Sequence, residues 1–535
     1  MLSLLAALPL ASCPAPVSAL PQQAGYRGNV CVIVLDDVGP GLLGCYDDWF
    51  TSLGRPTMQP AATPFIDGVL AAQGLTFTRA WACPTCTPGR AAMLTGRLPQ
   101  HSGIGDAIQR REDRPNPALE PGTELLPGLL RLAPTPYTSA ALGKWHLASK
   151  EELEAAPLHP LGTPVGTWFD RFAGTYYNLT PQPGVPWWQT GYYLWEKSYA
   201  TRIDAGQSPC VTGEPPCTLE LDVTLDPSLY PTTDTIRDAL TLVNQLPEPW
   251  FLWISTHSAH IPTHPLPSAF PVVPCTGAVG PSPSCAYPGL STAASQVRCM
   301  VEAIDHQLGR LLCELDFGDT TVILVSDNGI SKQGVIAPYS TNKAKGSVYQ
   351  GGLEVPLIVR SPLLRPGLAG RRSHALVSAT DLFETVRQIA QAPAPQHAED
   401  SRSLVPILRG QAASVRSTLY SEYFFPNFIP DPATGLPPPG YTCVRHDQAL
   451  RDQRFKLIRN WKRGPGGSGP VLVERFFDLL EGGPPDTSTA PPTPTPDWLE
   501  SNDLLAPGHA PSSAATTALA ALRAELDQNY LQLVQ

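Results

Sequence analysis

The sequence predicts an α/β fold, a sheet flanked by helices, with a smaller α+β portion at its C-terminal end. Three observations predict it. Four apolar runs of strand length each break directly into ionisable or metal-competent residues. Segments of helical periodicity lie between those runs, an alternation that marks an α/β sheet. Proline- and glycine-rich stretches at 428–440, 463–470 and 483–497 then separate short strand-like runs from a closing helix.

The elements follow in order. Asn29 to Leu35 is an apolar run that ends in Asp36-Asp37. Thr63-Pro64 opens a helix running to about Ala72, with Thr63 as cap and proline at the first helical position. Tyr137 to Leu142 passes through Gly143 into Lys144-Trp145-His146. Trp250 to Ile254 leads into Ser255-Thr256-His257-Ser258-Ala259-His260. Ala293 to Leu315 carries a helical apolar period, as does Ser378 to Ala392. Between them, Thr320 to Val325 runs through Ser326 into Asp327-Asn328-Gly329. Later, Ser417 to Tyr423 and Arg454 to Asn460 read as strands, and Ser513 to Leu533 as a helix. These divisions place a catalytic portion at 27–412 and a smaller C-terminal subdomain at 413–535. In open α/β sheets the binding crevice lies at the carboxyl ends of the strands. Four polar strand ends on one sheet converge on one site, a pattern that favours an enzyme.

The chain has 535 residues, room for one large domain and a smaller one. Its 61 prolines are about twice the usual ~5% share, which implies long, stiff loops. A net charge of −10 argues against nucleic acid as a partner, since phosphate contacts need a basic stripe. Met1 to Leu10 is almost wholly apolar but too short to span a bilayer, and we assign residues 1–19 as a signal segment. Leu10-Ala11-Ser12-Cys13 resembles a bacterial lipobox, with Cys13 as the lipidated residue; Val17-Ser18-Ala19 is a competing cleavage site. The expectation is export, as a periplasmic or cell-envelope lipoprotein or as a secreted protein. No later segment reaches the ~20 apolar residues of a membrane span. Twelve cysteines fit export. Cys210 with Cys217, and Cys275 with Cys285, read as local disulfides in proline-rich loops. Cys299 and Cys313 lie about 21 Å apart on one helix and cannot pair with each other. Cys31 reads as a buried thiol in a strand.

Asp36-Asp37 and Asp327-Asn328 supply four oxygen-bearing side chains, the donors that Ca²⁺ or Mg²⁺ prefers. Each pair alone also reads as a turn. No His or Cys cluster of zinc spacing accompanies them. Lys144 and His146 flank Trp145 and point the same way if the strand continues. Lys345 sits in a loop-like run ending Gln350-Gly351-Gly352, and His260 precedes Ile261-Pro262. Alone, such a lysine reads as a surface residue and such a histidine as structural. Cys83-Pro84-Thr85-Cys86 lacks the frame of a redox motif and the second pair of a zinc site. Cys86 by itself reads as a buried hydrophobe or half of a disulfide.

The order of these groups carries more than any one of them. Cys86-Thr87-Pro88-Gly89-Arg90 is followed by Ala91-Ala92-Met93-Leu94-Thr95-Gly96-Arg97. With Asp36-Asp37, Gly143-Lys144-Trp145-His146-Leu147, His260-Ile261-Pro262, Ser326-Asp327-Asn328-Gly329 and Lys345-Gly346, it resembles the formylglycine-dependent sulfatases, within the alkaline-phosphatase-like hydrolases. The resemblance spans Asp36 to Pro356. It implies a large mixed β-sheet sandwiched by helices, and hydrolysis of sulfuric esters. It implies that Cys86 is oxidised to formylglycine (3-oxoalanine) by a formylglycine-generating enzyme. Asp36, Asp37, Asp327, Asn328 and modified Cys86 would hold Ca²⁺, with Mg²⁺ as the alternative. Arg90 would hold the formylglycine, His146 would orient its hydroxyl, Lys144 and Lys345 would bind sulfate oxygens, and His260 would lie at the leaving oxygen. The aldehyde hydrate has two hydroxyls: one attacks sulfur, and loss of the second proton releases sulfate. Pro88 sets Cys86 at a helix N-terminus, where unpaired N–H groups favour an anion.

Three departures stand out. Gly89 replaces a small hydroxyl residue or alanine, Ala148 replaces a glycine, and Gln350 to Pro356 lacks a Glu and an Arg that family members often carry. The implied substrate is a sulfated small molecule or carbohydrate. Aromatic runs at Trp187-Trp188, Tyr192-Tyr193 and Tyr423-Phe424-Phe425 suit sugar rings or aryl groups equally. Two other readings compete: a phosphonate monoester or phosphodiester hydrolase sharing the motif, and a binding protein in which Cys86 is never converted.

Overall fold

The protein's structure, a computed structural model, describes residues 28–533 except 109–116, 120–122, 148–168, 182–183, 185–192, 195–196, 202–218, 221–229, 265, 268–269, 272, 275–284, 286, 432–433, 464–468, 481–482, 487–492 and 496. The signal segment expected at 1–19, Cys13, Ala148, the expected disulfide partners Cys210 and Cys217, Cys275, Trp187-Trp188 and Tyr192 lie outside the described residues.

Among the described residues the main sheet has ten strands. They are β1 Asn29–Leu35, β2 Leu75–Trp81, β3 Thr138–Lys144, β4 Arg171–Thr175, β5 Ser198–Thr201, β6 Leu219–Glu220, β7 Trp250–Ser255, β8 Thr320–Ser326, β9 Glu354–Arg360 and β10 Arg371–Ser378. Their order is β10-β2-β9-β8-β1-β7-β3-β4-β5-β6. Strands β8, β1, β7, β3 and β4 run parallel, while β9 is antiparallel to both its neighbours, so the sheet is mixed. The apolar runs are continuous because both faces are covered. Along β1, Val30, Val32 and Val34 face one core, and Cys31, Ile33 and Leu35 face the other, with the period of two that a strand imposes. Helices α1 (Gly44–Ser52), α3 (Pro231–Val243) and α4 (Thr292–Glu314) cover the Cys31 face. Helices α2 (Cys86–Thr95) and α5 (Asp381–Ala390) cover the Val30 face.

A second, antiparallel sheet follows in chain order: β11 Leu419–Phe425, β12 Arg445–Arg451, β13 Phe455–Arg463 and β14 Pro470–Asp478. Leu450, Leu457 and Phe476 on one of its faces pack against Leu519, Leu522 and Leu526 of α6 (Ser513–Asn529). Ala449, Ile458 and Phe477 on the other face pack against Trp81, Leu353 and Leu376 of the main sheet and its loops.

The elements fall where hydrophobic periodicity places them, with local differences. Thr63 does not cap the helix that begins at Pro64. The amides of Phe65 and Ile66 donate instead to Asp305 on α4, at 3.2 and 2.7 Å. Thr63 Oγ1 accepts from Gly44 N and donates to Asp67. A cap supplied from another helix leaves no trace in the local sequence. Cys285 is a free thiol hydrogen-bonded to Cys299, not half of a disulfide with Cys275, because it faces α4; Cys313 on that helix is disulfide-bonded. Cys31 is the expected buried thiol, pushed up to about 12 by burial. Strand β3 ends at Lys144, and His146 takes a left-handed φ of 59°, so strand alternation does not orient these two side chains.

Candidate active site

Parallel register brings the strand ends level. Leu35 of β1 pairs with Ser326 of β8, and Val34 pairs with Ser255 of β7, which in turn pairs with Gly143 of β3. Asp36, Asp327 and Thr256 therefore leave the sheet at one edge, beside Lys144. Helix α2 points its N-terminus at the same edge, with Cys86 as its first residue and Thr85 as N-cap in extended conformation. The helix seats tightly. A Cβ at Gly89 would overlap the carbonyl oxygen of Asp327 and stand 2.9 Å from its carbon, so glycine permits this approach. The loop carrying Lys345 is pinned on both sides. Lys345 N donates to Ile330 O at 3.0 Å, and Gly346 N to Pro84 O at 2.8 Å. Gly346 has a φ of 83°, which only glycine adopts without strain.

These supports bring together the residues singled out from the sequence, and His146 lies within electrostatic reach of Lys144, Arg90 and Asp36. Cys86 Sγ is 3.0 Å from Lys345 Nζ and 3.5 Å from Lys144 Nζ, and faces Asp36 Oδ1 at 3.6 Å. Lys144 Nζ donates to Asp36 Oδ2 at 2.6 Å, and Lys345 Nζ to Asp37 Oδ1 at 2.5 Å. Arg90 binds Asp327 Oδ2 through Nε at 2.8 Å and Nη2 at 2.7 Å. Its Nη1 donates to Lys144 O at 2.7 Å and to Ser255 Oγ. His260 Nε2 lies 3.9 Å from Asp37 Oδ2. His146 Nε2 donates to Ile108 O at 2.9 Å. That bond fixes the tautomer and leaves buried Nδ1 an acceptor without a hydrogen-bond partner. Ser255 has no role in the sequence reading; its place at a polar strand end was the available signal.

Burial and charge shape the protonation states. Burial alone would raise Asp36, but Lys144, His260, Arg90 and Lys345 together hold it well below the usual carboxylate range. Burial and the charge of Asp36 push Asp327 up to about 6, against Arg90. Burial opposes the charge on Lys345, but Asp37, Cys86 and Asp36 hold its pKa well above that of an ordinary lysine. Burial and Lys144 keep His146 neutral. Burial, Lys345 and Lys144 pull His260 down to about 4. Burial pushes the Cys86 thiol up to about 12, despite two lysines beside it. As a thiol, Cys86 stays protonated at neutral pH and is a weak nucleophile.

The donor set fits a hard divalent cation. Asp36, Asp37, Cys86 and His260 each offer an atom within 4.8 Å of the others, and Asp327 feels the charge of both Asp36 and Asp37. Asn328 Nδ2 donates to Asp37 Oδ1 at 2.8 Å, while its buried Oδ1 has no hydrogen-bond partner. An orphaned amide oxygen beside clustered carboxylates is what an oxygen-preferring ion satisfies.

Residues 28–392 match the Sulfatase family model. The chain is 30% identical over 438 residues to arylsulfatase A of Homo sapiens, covering 76% of this chain and 72% of that protein. The crystal structure of Ps i-CgsB in complex with k-i-k-neocarrahexaose shares the fold, with a TM-score of 0.61 at 21% identity over 94% of this chain and 92% of that one. So does BT4656 in complex with its substrate D-glucosamine-2-N,6-O-disulfate, with a TM-score of 0.57 at 17% identity over 94% and 98%. The main sheet, the strand-end site and these likenesses agree: the chain belongs to the sulfatase family and is a hydrolase of sulfuric esters.

Proposed function

We propose that the chain cleaves sulfate esters of a carbohydrate with Cys86 matured to formylglycine. In this reading Asp36, Asp37, Asp327 and Asn328 hold Ca²⁺, or Mg²⁺ in its place. One observation carries it. Cys86, inert as a thiol, stands at a helix N-terminus between two lysines and a carboxylate, where an anionic group is stabilised. The bound ion would polarise a sulfate oxygen and neutralise carboxylate charge; the hydrated aldehyde would supply the attacking oxygen and the second hydroxyl that frees sulfate.

The remaining roles follow from the side chains. Lys144 and Lys345 bind the sulfate oxygens from either side of Cys86. His146, with Nδ1 free to accept, orients a hydroxyl of the modified residue. Arg90 holds the formylglycine wall in place through Asp327 and Ser255. His260, neutral in the free site, is raised toward protonation by the charge of bound sulfate and gives that proton to the leaving oxygen. Cys86 is 1% exposed, so a formylglycine-generating enzyme would meet it before the chain folds. The saccharide reading draws on the sugars bound by the two structural neighbours. Export as an envelope lipoprotein, or secretion, draws on residues 1–19 and the cysteine count. No described helix is long and apolar enough to cross a membrane. The two-part division at 412/413 draws on the second sheet and its own helix.

Peptide mass spectrometry of the Cys86 peptide, paired with an aryl sulfate assay, tests the proposal. Formylglycine together with turnover is expected. Unmodified Cys86 in protein from its native host, with no turnover, overturns it.

A further inference from the structure

Next to the site, the Lys345 loop and the second sheet enclose a cleft of about 560 Å³. That is the size of pockets that take small ligands, and larger than one sulfate needs. Its charge is unusual for a chain with a net charge of −10. Lys332, Lys345, Arg445, Lys462 and Arg475 line it, against a single carboxylate among the described residues, that of Asp447. Arg445 pairs with that carboxylate, through Nε at 2.6 Å. Arg475 donates to the neutral Asn460 Oδ1 at 2.6 Å, and Asn460 in turn donates to Asp447. Lys332 and Lys462 are exposed and have no ion-pair partner among the described residues. Lys332, Lys462 and Arg475 thus face the cleft with no carboxylate paired to them among the described residues. Val471 and Val473, 49% and 43% exposed on edge strand β14, add apolar surface to the same wall. Cations beside apolar surface suit a ring that carries an anionic substituent.

We propose that this cleft binds a second anionic group of the substrate, a sulfate or a carboxylate, on a sugar ring beside the one being cleaved. Lys462 and Arg475 are its recognition residues. The inference rests on the reading of Lys345 as a sulfate-binding residue, since Lys345 is shared by the cleft and the Cys86 site. It makes the preferred substrate a multiply anionic saccharide rather than an isolated monosulfate.

The test measures binding apart from turnover. In full-length Cys86→Ala protein, calorimetry compares one disaccharide carrying a single sulfate, two sulfates, or one sulfate and one carboxylate. The dianionic forms are expected to bind about a hundredfold more tightly than the monosulfate. Lys462→Ala and Arg475→Ala are each expected to cut that preference about tenfold, the size of one charge-assisted hydrogen bond. Comparing the second sulfate with the carboxylate identifies which anion the cleft takes. Equal affinities for mono- and dianionic forms overturn the proposal. So does a loss in the variants that falls equally on all three ligands. Failure of the wild-type protein to hydrolyse any sulfate ester would instead overturn the catalytic reading, and the binding ratio is independent of it.

Discussion

The two halves of the site are built differently. In the inner half, Arg90 and Lys144 meet Asp36 and Asp327, and all four side chains are 0% exposed. In the outer half, Lys345 and His260 face Asp37, with side chains 19% and 11% exposed. The inner pairs sit in low dielectric, where removing one partner strands a charge. The outer pair touches solvent and can exchange its carboxylate for an incoming anion at lower cost. In the proposed reading the inner half is chiefly frame, with Lys144 alone reaching the sulfate from it, and the outer half is the face that meets substrate. Cys86 lies between, within 3.5 Å of a lysine from each half.

Four measurements test that division, beginning with the residue both halves serve. Cys86→Ser keeps one hydroxyl and has no second one to release sulfate, so steady-state turnover is expected to fall by at least about a thousandfold. Near-normal turnover would remove the reason for a modified residue. The halves then separate in stability. Arg90→Met is expected to lower unfolding free energy by about 3–5 kcal/mol, the cost of breaking a buried pair. Lys345→Met is expected to lower kcat/KM about a hundredfold, with a much smaller shift in the denaturation midpoint. Equal destabilisation by the two variants would erase the distinction between frame and face.

Acidity reads the outer half through His260, while buried Asp327 of the inner half, raised to about 6, titrates in the same range with the opposite sign. His260 has its pKa drawn from 6.5 to about 4, so below pH 6.5 the unfolded chain binds the proton first. The stability it contributes is complete above pH 6.5 and is lost as pH falls to about 4, a span of about 3 kcal/mol. Because Lys345 is one cause of that shift, urea titrations of metal-free Lys345→Met between pH 7.5 and 4 should show a shallower loss than wild type. An unchanged slope would detach His260 from Lys345. The smallest expected effect is that of the ion. Adding Ca²⁺ at a hundred times its Kd to chelator-treated protein should raise stability by about 2.7 kcal/mol. Asn328→Ala should shift the required Ca²⁺ concentration upward. An identical dose response would mean that Asn328 Oδ1 is not a ligand.

Much of this site was legible residue by residue. Each strand–polar boundary, at Asp36, Lys144, Ser255 and Asp327, is written in contiguous residues, because strand burial and its end are local patterns. The meaning of Gly89 was not. As a departure in a motif it is only a missing hydroxyl or methyl group. In the fold it is the residue that lets α2 close on Asp327. The cap at Phe65 and Ile66 was equally hidden, since Asp305 arrives from some 240 residues away in the chain.

By itself the sequence determined the class of fold, the order of the chemical groups and the helix N-terminus on which Cys86 stands. Those depend on periodicity, proline placement and motif spacing, all short-range properties. Only the tertiary structure decided which carboxylate each cation meets. It joined Arg90 to Asp327 across 237 residues and Lys345 to Asp37 in the outer half. It also brought Arg475 and Lys462 of the second sheet beside Lys345. Such pairings depend on how sheet and helices pack, and packing brings together residues that no local pattern links.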